Sequence, residues 1–364
     1  MFIKKISIQL FKNYKRLDET FSSGFNAISG PNGSGKTNLL DAVYYLCLCK
    51  SAFNPIDKQL IHTESDYFFI KGLFQKKDEE HTIQAGFQQN NKLMRHNNVA
   101  YDKLSDHLGK FPVVLIAPDD TAIVKEGSEI RRKFIDSILC QTNRQYLKDL
   151  LAYNRLLKYR NTTLKNDHKR TDYALLEVYD EQLLPLNRSI STFRKEFLSQ
   201  FEQLFASTYQ QVCGGNEEVS IQYNSQVTET SFEDDYANSI EKDILLQRTT
   251  MGIHKDDITF TIGSNPLKKF GSQGQQKTFV IALKLAQLGI LQQGLSINPI
   301  LLLDDIFDKL DNNRVASLME LLHKTHKGQV FITDTDPKRL DHLFDDIPVE
   351  LRTFEISDGQ IQQR

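Results

Sequence analysis

"GPNGSGKT", residues Gly30 to Thr37, follows the short apolar run "FNAI" and precedes Leu39, Leu40, Val43 and Cys47 at helical spacing. A strand, a glycine-rich turn and a helix in that order form a cradle for phosphate. Gly30, Pro31, Asn32, Gly33, Ser34 and Gly35 make the turn. Its glycines let successive N–H groups and the helix N-terminus close on β- and γ-phosphate oxygens. Lys36 adds a mobile positive charge, and the Thr37 hydroxyl is a ligand for Mg²⁺. An ordinary glycine turn before a helix accounts less well for the eight-residue match in this setting.

The second half of such a site lies far along the chain. In "NPILLLDDIFDKLD" an apolar strand from Pro299 to Leu303 ends in Asp304 and Asp305. Asp304 is the candidate to hold a hydrated Mg²⁺, and Asp305 the candidate to orient an attacking water. Two acids at a strand end are by themselves equally a turn or helix-entry signal; the loop at residue 30 tips the balance toward chemistry. Asp is one methylene shorter than Glu, so slow hydrolysis is expected.

A third stretch, "FGSQGQQKT" (residues 270–278), looks like a spacer, yet Phe279, Ile281, Leu283, Leu285, Ala286, Leu288 and Leu291 follow it as an apolar helix. Ser272 can cap that helix and Gly274 can bring backbone close to an anion, which makes a second phosphate-binding helix start. The loop at residue 30 already surrounds one side of a nucleotide. Ser272, Gly274 and Gln275 therefore fit a nucleotide held by another copy of the chain, and a homodimer is expected.

The bulk numbers agree with a globular α/β protein: 364 residues, 40% hydrophobic and 25% charged. Cysteines 47, 49, 140 and 213 have neither disulfide-framework nor zinc spacing and read as reduced thiols. "MFIKKISIQLF" alternates apolar and polar residues where a signal peptide would be unbroken, and "VVLIA" and "PILLL" are too short to cross a bilayer. A cytoplasmic protein without membrane contact is the expectation. A net charge of −2 confines any nucleic-acid contact to local basic patches.

Strand and helix signals alternate up to about residue 117 and again from about 250, whereas Ile190, Phe193, Phe197, Phe201 and Leu204 mark long amphipathic helices between. Pro185 is expected to kink or break one of them. The polar stretch "RNTTLKNDHKR" divides this region into two arms, so a helical hairpin is predicted. The predicted division is 1–118 and 249–364 for an ATPase lobe and 119–248 for an inserted helical lobe. Arg155, Lys158, Arg160, Lys165, Lys169 and Arg170 face one acid, Asp167, and form either a phosphate-contacting face or an ordinary solvated one. Arg131 and Arg132 are a second candidate, with ion pairing between lobes the alternative. No base-reading motif is present, so DNA binding would follow the backbone.

Ser-x-Gly-Gln before a helix, upstream of an aliphatic strand ending in Asp-Asp, is similar to the signature motif of ABC-type ATPases, whose subunits close face to face over two ATP molecules. Over essentially its whole length the chain resembles the RecF family. "FKNY" after the first strand, "PDDTAIVKEGSEIRRKFID" (118–136), "GIHKDD" (252–257) and "LLLDDIFDKLDNNR" carry the likeness. Glu126, Ser128, Ile253, Lys255, Asp308 and Lys309 depart from the family pattern, the last two in a loop that speaks across the dimer in this superfamily.

The resemblance implies an α/β ABC-type ATPase head with a phosphate-loop mixed sheet and an inserted helical hairpin lobe. Thr333, at the end of "VFIT", takes the place of the switch residue that senses γ-phosphate, or is a plain strand-end threonine. Implied too are ATP and Mg²⁺, a dimer that clamps gapped, single-stranded or duplex DNA, and slow DNA-stimulated hydrolysis. RecR is the implied partner, with RecO and RecA beyond it, in recombinational repair, replication restart and SOS induction. Two rivals are a related ATPase of defence or chromosome organisation and a phosphoryl-transfer enzyme.

Overall fold

Alternating burial along β1 (Phe2–Phe11) puts Ile3, Ile6 and Ile8 in the core and their polar neighbours outside, as a sheet with one wet face requires. The computed structural model describes residues 1–165, 172–215, 217–307, 312–344, 349–357 and 359–364. With elements numbered in chain order, β1 lies in an antiparallel sheet between β2 (Tyr14–Thr20) and β4 (Tyr67–Lys76). The sheet continues through β5 (Glu79–Gln88), β6 (Asn91–His96) and β7 (Val99–Ala100).

A second six-stranded sheet carries the motifs. Its order is β15 (Gln360–Gln363), β14 (Leu351–Ser357), β3 (Phe25–Ser29), β13 (Val330–Asp334), β12 (Ile300–Leu303), β8 (Val113–Ile116). All pairings are parallel except that of β15 with β14. Strands covered on both faces are mostly apolar, and β12 is wholly so, with all four residues fully buried. Helix α1 (Lys36–Leu48) contributes Leu39, Leu40, Val43 and Leu46 to one core with residues of both sheets.

The chain divides into two units. The first comprises Met1–Asp120, Thr208–Gly215 and Lys277–Arg364, and holds both sheets above. It also contains α1, α10 (Asn312–Thr325), α11 (Pro337–His342) and all but the first turn of α9 (Gln273–Leu295). By length and composition α9 would pass for a membrane span, but Phe279, Ala282, Leu283, Ala286 and Leu291 are wholly buried, so it is a core helix of this unit.

The second unit, Thr121–Ser207 with Asn216–Gln276, contains α2 (Ala122–Lys125), α3 (Ser128–Thr142), α4 (Arg144–Leu164) and most of α5 (Tyr173–Cys213), then α6 (Phe232–Asn238), α7 (Ile240–Leu246) and α8 (Leu267–Phe270). The anticipated hairpin arms are α4 and α5. Pro185 does not break α5, which runs through it as one helix. The unit ends at Gln276 and not at 248, because β10 (Asp257–Ile262) pairs with β9 (Val219–Asn224) and β11 (Asn265–Pro266), tying the following segment to this lobe.

Buried charge organises this second unit. Arg194, 1% exposed, binds both oxygens of Asp136, Asp256 Oδ2 at 2.7 Å and the Ile253 carbonyl at 2.9 Å. The segments 118–136 and 252–257 are therefore joined through one guanidinium. Arg160 is completely buried and pairs with Asp180 and Asp243, each at 2.6 Å. His254 stays neutral, pushed down to about 4 mainly by burial; it accepts a hydrogen bond from Tyr153 on Nδ1 and donates Nε2–H to the Thr249 carbonyl.

Removing one partner of a buried ion network leaves the others desolvated and uncompensated. Arg194→Met should cost about 3–5 kcal/mol in chemical denaturation. A loss under about 1 kcal/mol, the value of an exposed pair, would contradict this role for Arg194.

Candidate functional site: a nucleotide-binding loop and a capped helix start

The phosphate loop sits at the carboxyl end of β3, and its glycines explain themselves sterically. Gly35 has φ 120°, and a Cβ there would stand 2.7 Å from Asn13 Nδ2 and 2.8 Å from the Tyr14 hydroxyl. Gly30, at φ 154°, has the Ile356 carbonyl where a Cβ would go, at 2.3 Å. Gly35 is also the N-cap of α1 and offers no side chain to its first N–H groups, so those donors remain open to an anion.

Lys36 is folded onto its own loop, donating to the carbonyls of Gly30 at 2.8 Å and Pro31 at 3.2 Å, with Asp305 Oδ2 at 4.0 Å. Among the described residues the Ser34 hydroxyl is buried without a hydrogen-bond partner, an orphan that a phosphate oxygen would satisfy.

Across the sheet, β13 lies between the loop strand β3 and the aspartate strand β12. This order brings Thr37, Asp304 and Thr333 together. The Thr37 hydroxyl lies 3.0 and 2.9 Å from the two oxygens of Asp304, and the Thr333 hydroxyl donates to Asp304 Oδ1 at 2.9 Å. Thr333 also accepts from the Asp305 N–H at 3.0 Å, so it braces both aspartates. Asp305 has φ 44°, a left-handed turn that carries the chain sharply off the strand end.

Burial, reinforced by the neighbouring Asp305, raises the pKa of Asp304 above the usual carboxylate range. A buried carboxylate beside a threonine hydroxyl is a pair of hard oxygen donors, the chemistry a magnesium ion requires. Thr37 and Asp304 are thus the residues that fit the ion.

Two neighbours of the loop had gone without a role in sequence. Asn13 donates Nδ2–H to the Ser34 carbonyl at 3.0 Å, and the Tyr14 hydroxyl donates to the Gly35 carbonyl at 2.9 Å. They are the last residues of "FKNY", so the turn between β1 and β2 holds the phosphate loop from behind. Burial raises the Tyr14 pKa, which keeps it a hydroxyl donor.

In the second unit, the stretch at 272 forms a reciprocal cap on α9. The Gln275 N–H donates to Ser272 Oγ at 3.2 Å, and the Ser272 N–H donates to Gln275 Oε1 at 2.8 Å. Ser272 is exposed, and because its oxygen accepts in the cap, its hydroxyl hydrogen is still available to an incoming anion. Gly274 is half-buried in the first turn, and Gln275 Nε2 donates to Glu217 Oε1 at 2.7 Å. Glu217 is a further residue that spacing did not reveal, since nothing local links it to the cap.

The basic candidates separate sharply. Arg131 is buried and binds Asp257 at 2.8 Å, and Arg132 donates to the Asp256 carbonyl. Arg131 and Arg160 are buried and their guanidinium groups pair with acids of their own unit, whereas Arg132 is half-buried. Arg155, Lys158 and Lys165 are exposed. Lys169, Arg170, Asp308 and Lys309 lie outside the described residues.

The family described as RecF/RecN/SMC N terminal domain matches residues 2–347, nearly the whole chain, which sets the protein among the ABC-type ATPase heads. Within that class, the chain belongs to the RecF family. The DNA replication and repair protein RecF of Cytophaga hutchinsonii is 42% identical over 365 residues, spanning 100% of this chain and 97% of that protein. That of Parabacteroides distasonis is 40% identical, spanning 100% and 99%. A solved structure of the recombination mediator protein RecF with ATP, in the RecFOR pathway, superposes with a TM-score of 0.90 at 30% identity, covering 100% of this chain and 97% of that one. The Smc head domain of Pyrococcus furiosus shares the fold, with a TM-score of 0.58 at 17% identity and coverage of 100% and 96%.

Tyr14→Phe removes one of the two donors to the Gly35 carbonyl, leaving only the Leu39 N–H at 3.0 Å, and frees the loop from the turn behind it. Affinity for a fluorescent ATP analogue should fall roughly tenfold while the melting temperature changes little. Unchanged affinity would show that the turn does not organise the loop.

Proposed function

We propose that this protein is an ATP-dependent DNA-binding ATPase of recombinational repair and replication restart, acting in the bacterial cytoplasm as a dimer with two ATP molecules between its subunits. One observation carries the reading. Loop, lysine, threonine and both aspartates gather in the first unit, whereas Ser272 stands exposed on a capped helix start with a hydroxyl hydrogen to give. In the dimer, the loop of one subunit and Ser272, Gly274 and Gln275 of the other read opposite sides of the same nucleotide.

Each residue then has a definite task. The loop N–H groups and Lys36 neutralise phosphate charge, and Lys36 exchanges its contacts with the Gly30 and Pro31 carbonyls for the nucleotide. Thr37 and Asp304 hold magnesium, which when bound offsets the charge on the phosphate oxygens. Asp305 orients water from the shorter reach of an aspartate, which supports slow hydrolysis stimulated by DNA. Thr333 keeps Asp304 and Asp305 in register and can pass the loss of γ-phosphate into β13. ATP then serves as a switch: binding closes the dimer on gapped, single-stranded or duplex DNA, and hydrolysis opens it. RecR is the direct protein partner, with RecO and RecA further along the same repair route and in SOS induction.

Mass in solution tests the sandwich. With a slowly hydrolysed ATP analogue the parent protein should move from 41.9 kDa to near twice that value, and Ser272→Arg should stay at the monomer mass. A parent that remains monomeric with analogue and DNA, or a variant that dimerises as well, would overturn it.

A further inference from the structure

Helix α4 and its C-cap, Lys165, present a row of basic residues. Lys148, Arg155, Lys158 and Lys165 recur at helical spacing and are all exposed, at the outer edge of a helix whose only acid, Asp149, is buried against Gln145 and Ser189. The row spans roughly 25 Å at 1.5 Å per residue. Between the cations lie two exposed apolar side chains, Leu151 at 52% and Tyr159 at 50%. None of the four cationic side chains makes a hydrogen bond or ion pair among the described residues.

The opposite face of the helix decides what the row can bind. Tyr146, Tyr153 and Leu156 are buried within the lobe, so the apolar side cannot enter a bilayer and a surface-lying amphipathic anchor is ruled out. Protein interfaces are poor in lysine at their centres. A line of fixed positive charge on a chain of net charge −2 fits a polyanion with charge repeated along its length. Within the DNA-binding reading above, on which this rests, we infer that the α4 face carries the backbone of duplex DNA, with Lys148, Arg155, Lys158 and Lys165 on phosphates. Lys148 extends the contact along the helix beyond the polar tip.

The test is a titration of duplex DNA across salt concentrations, in the presence of the slowly hydrolysed ATP analogue. It compares the parent with a variant carrying Lys148→Ala, Arg155→Ala, Lys158→Ala and Lys165→Ala. A control carries Lys125→Ala, Lys195→Ala and Lys242→Ala, exposed lysines of the same unit on α2, α5 and α7. Alanine favours helix, so α4 should persist, and the mass with analogue should match the parent. The α4 variant should lose at least tenfold in affinity, and its salt slope should fall by roughly three to four, while the control stays near the parent. A variant that binds like the parent, or a control that weakens equally, overturns the assignment to α4. A parent that dimerises with the analogue yet binds no duplex at low salt overturns the DNA reading itself.

Discussion

The hydroxyl of Thr37 meets the carboxylate of Asp304 across 267 positions of sequence, and the chemistry of the first unit is built around that meeting. It requires β3 and β12 to end at the same edge of a parallel sheet, with β13 between them. That order in turn places Thr333 where it can hold Asp304 by its side chain and Asp305 by its backbone. Parallel strands with covered faces are largely apolar, so the sheet supplies rigidity and leaves function to residues at its carboxyl edge. The turn between β1 and β2 completes the arrangement through Asn13 and Tyr14, which hold the loop carbonyls so that its N–H groups face outward.

The second unit follows a different logic. Beside an apolar core that includes Ile138, Leu183, Ile190 and Phe201, Arg194 draws together Asp136 and Asp256, and Arg160 draws together Asp180 and Asp243. Much of the family likeness in residues 118–136 and 252–257 therefore records the architecture of the lobe. Arg131 and Arg132 belong to the same scaffold. Buried pairs of this kind gain little net stability over apolar packing but are costly to break.

Local patterns were legible, and long-range ones were not. The phosphate loop, the cap at Ser272 and the helical arms each depend on residues within a turn or two of one another, and all appear in sequence as spacing. Strand order does not: Thr333 stands out in sequence through the family likeness alone, and only the order of the sheet shows it bracing both aspartates. The fate of Arg160 was hidden for a related reason. It stands two residues from Lys158, and only the packing of α5 and α7 against α4 turns one inward and leaves the other in solvent. Pro185 shows the converse: a strong local signal for a break is overridden where a long helix is packed along its length. The boundary at 248 missed the strand pairing that extends the second unit to Gln276.

The central claim is that each nucleotide is read by two chains. Mixing Lys36→Ala with Ser272→Arg tests it directly, because in a mixed dimer one of the two sites combines an intact loop with an intact signature. The account predicts that each variant alone neither dimerises nor hydrolyses ATP with DNA present, and that the mixture regains both in part. If the mixture remains as inactive as its components, the loop and the signature do not act across a dimer, and the account fails.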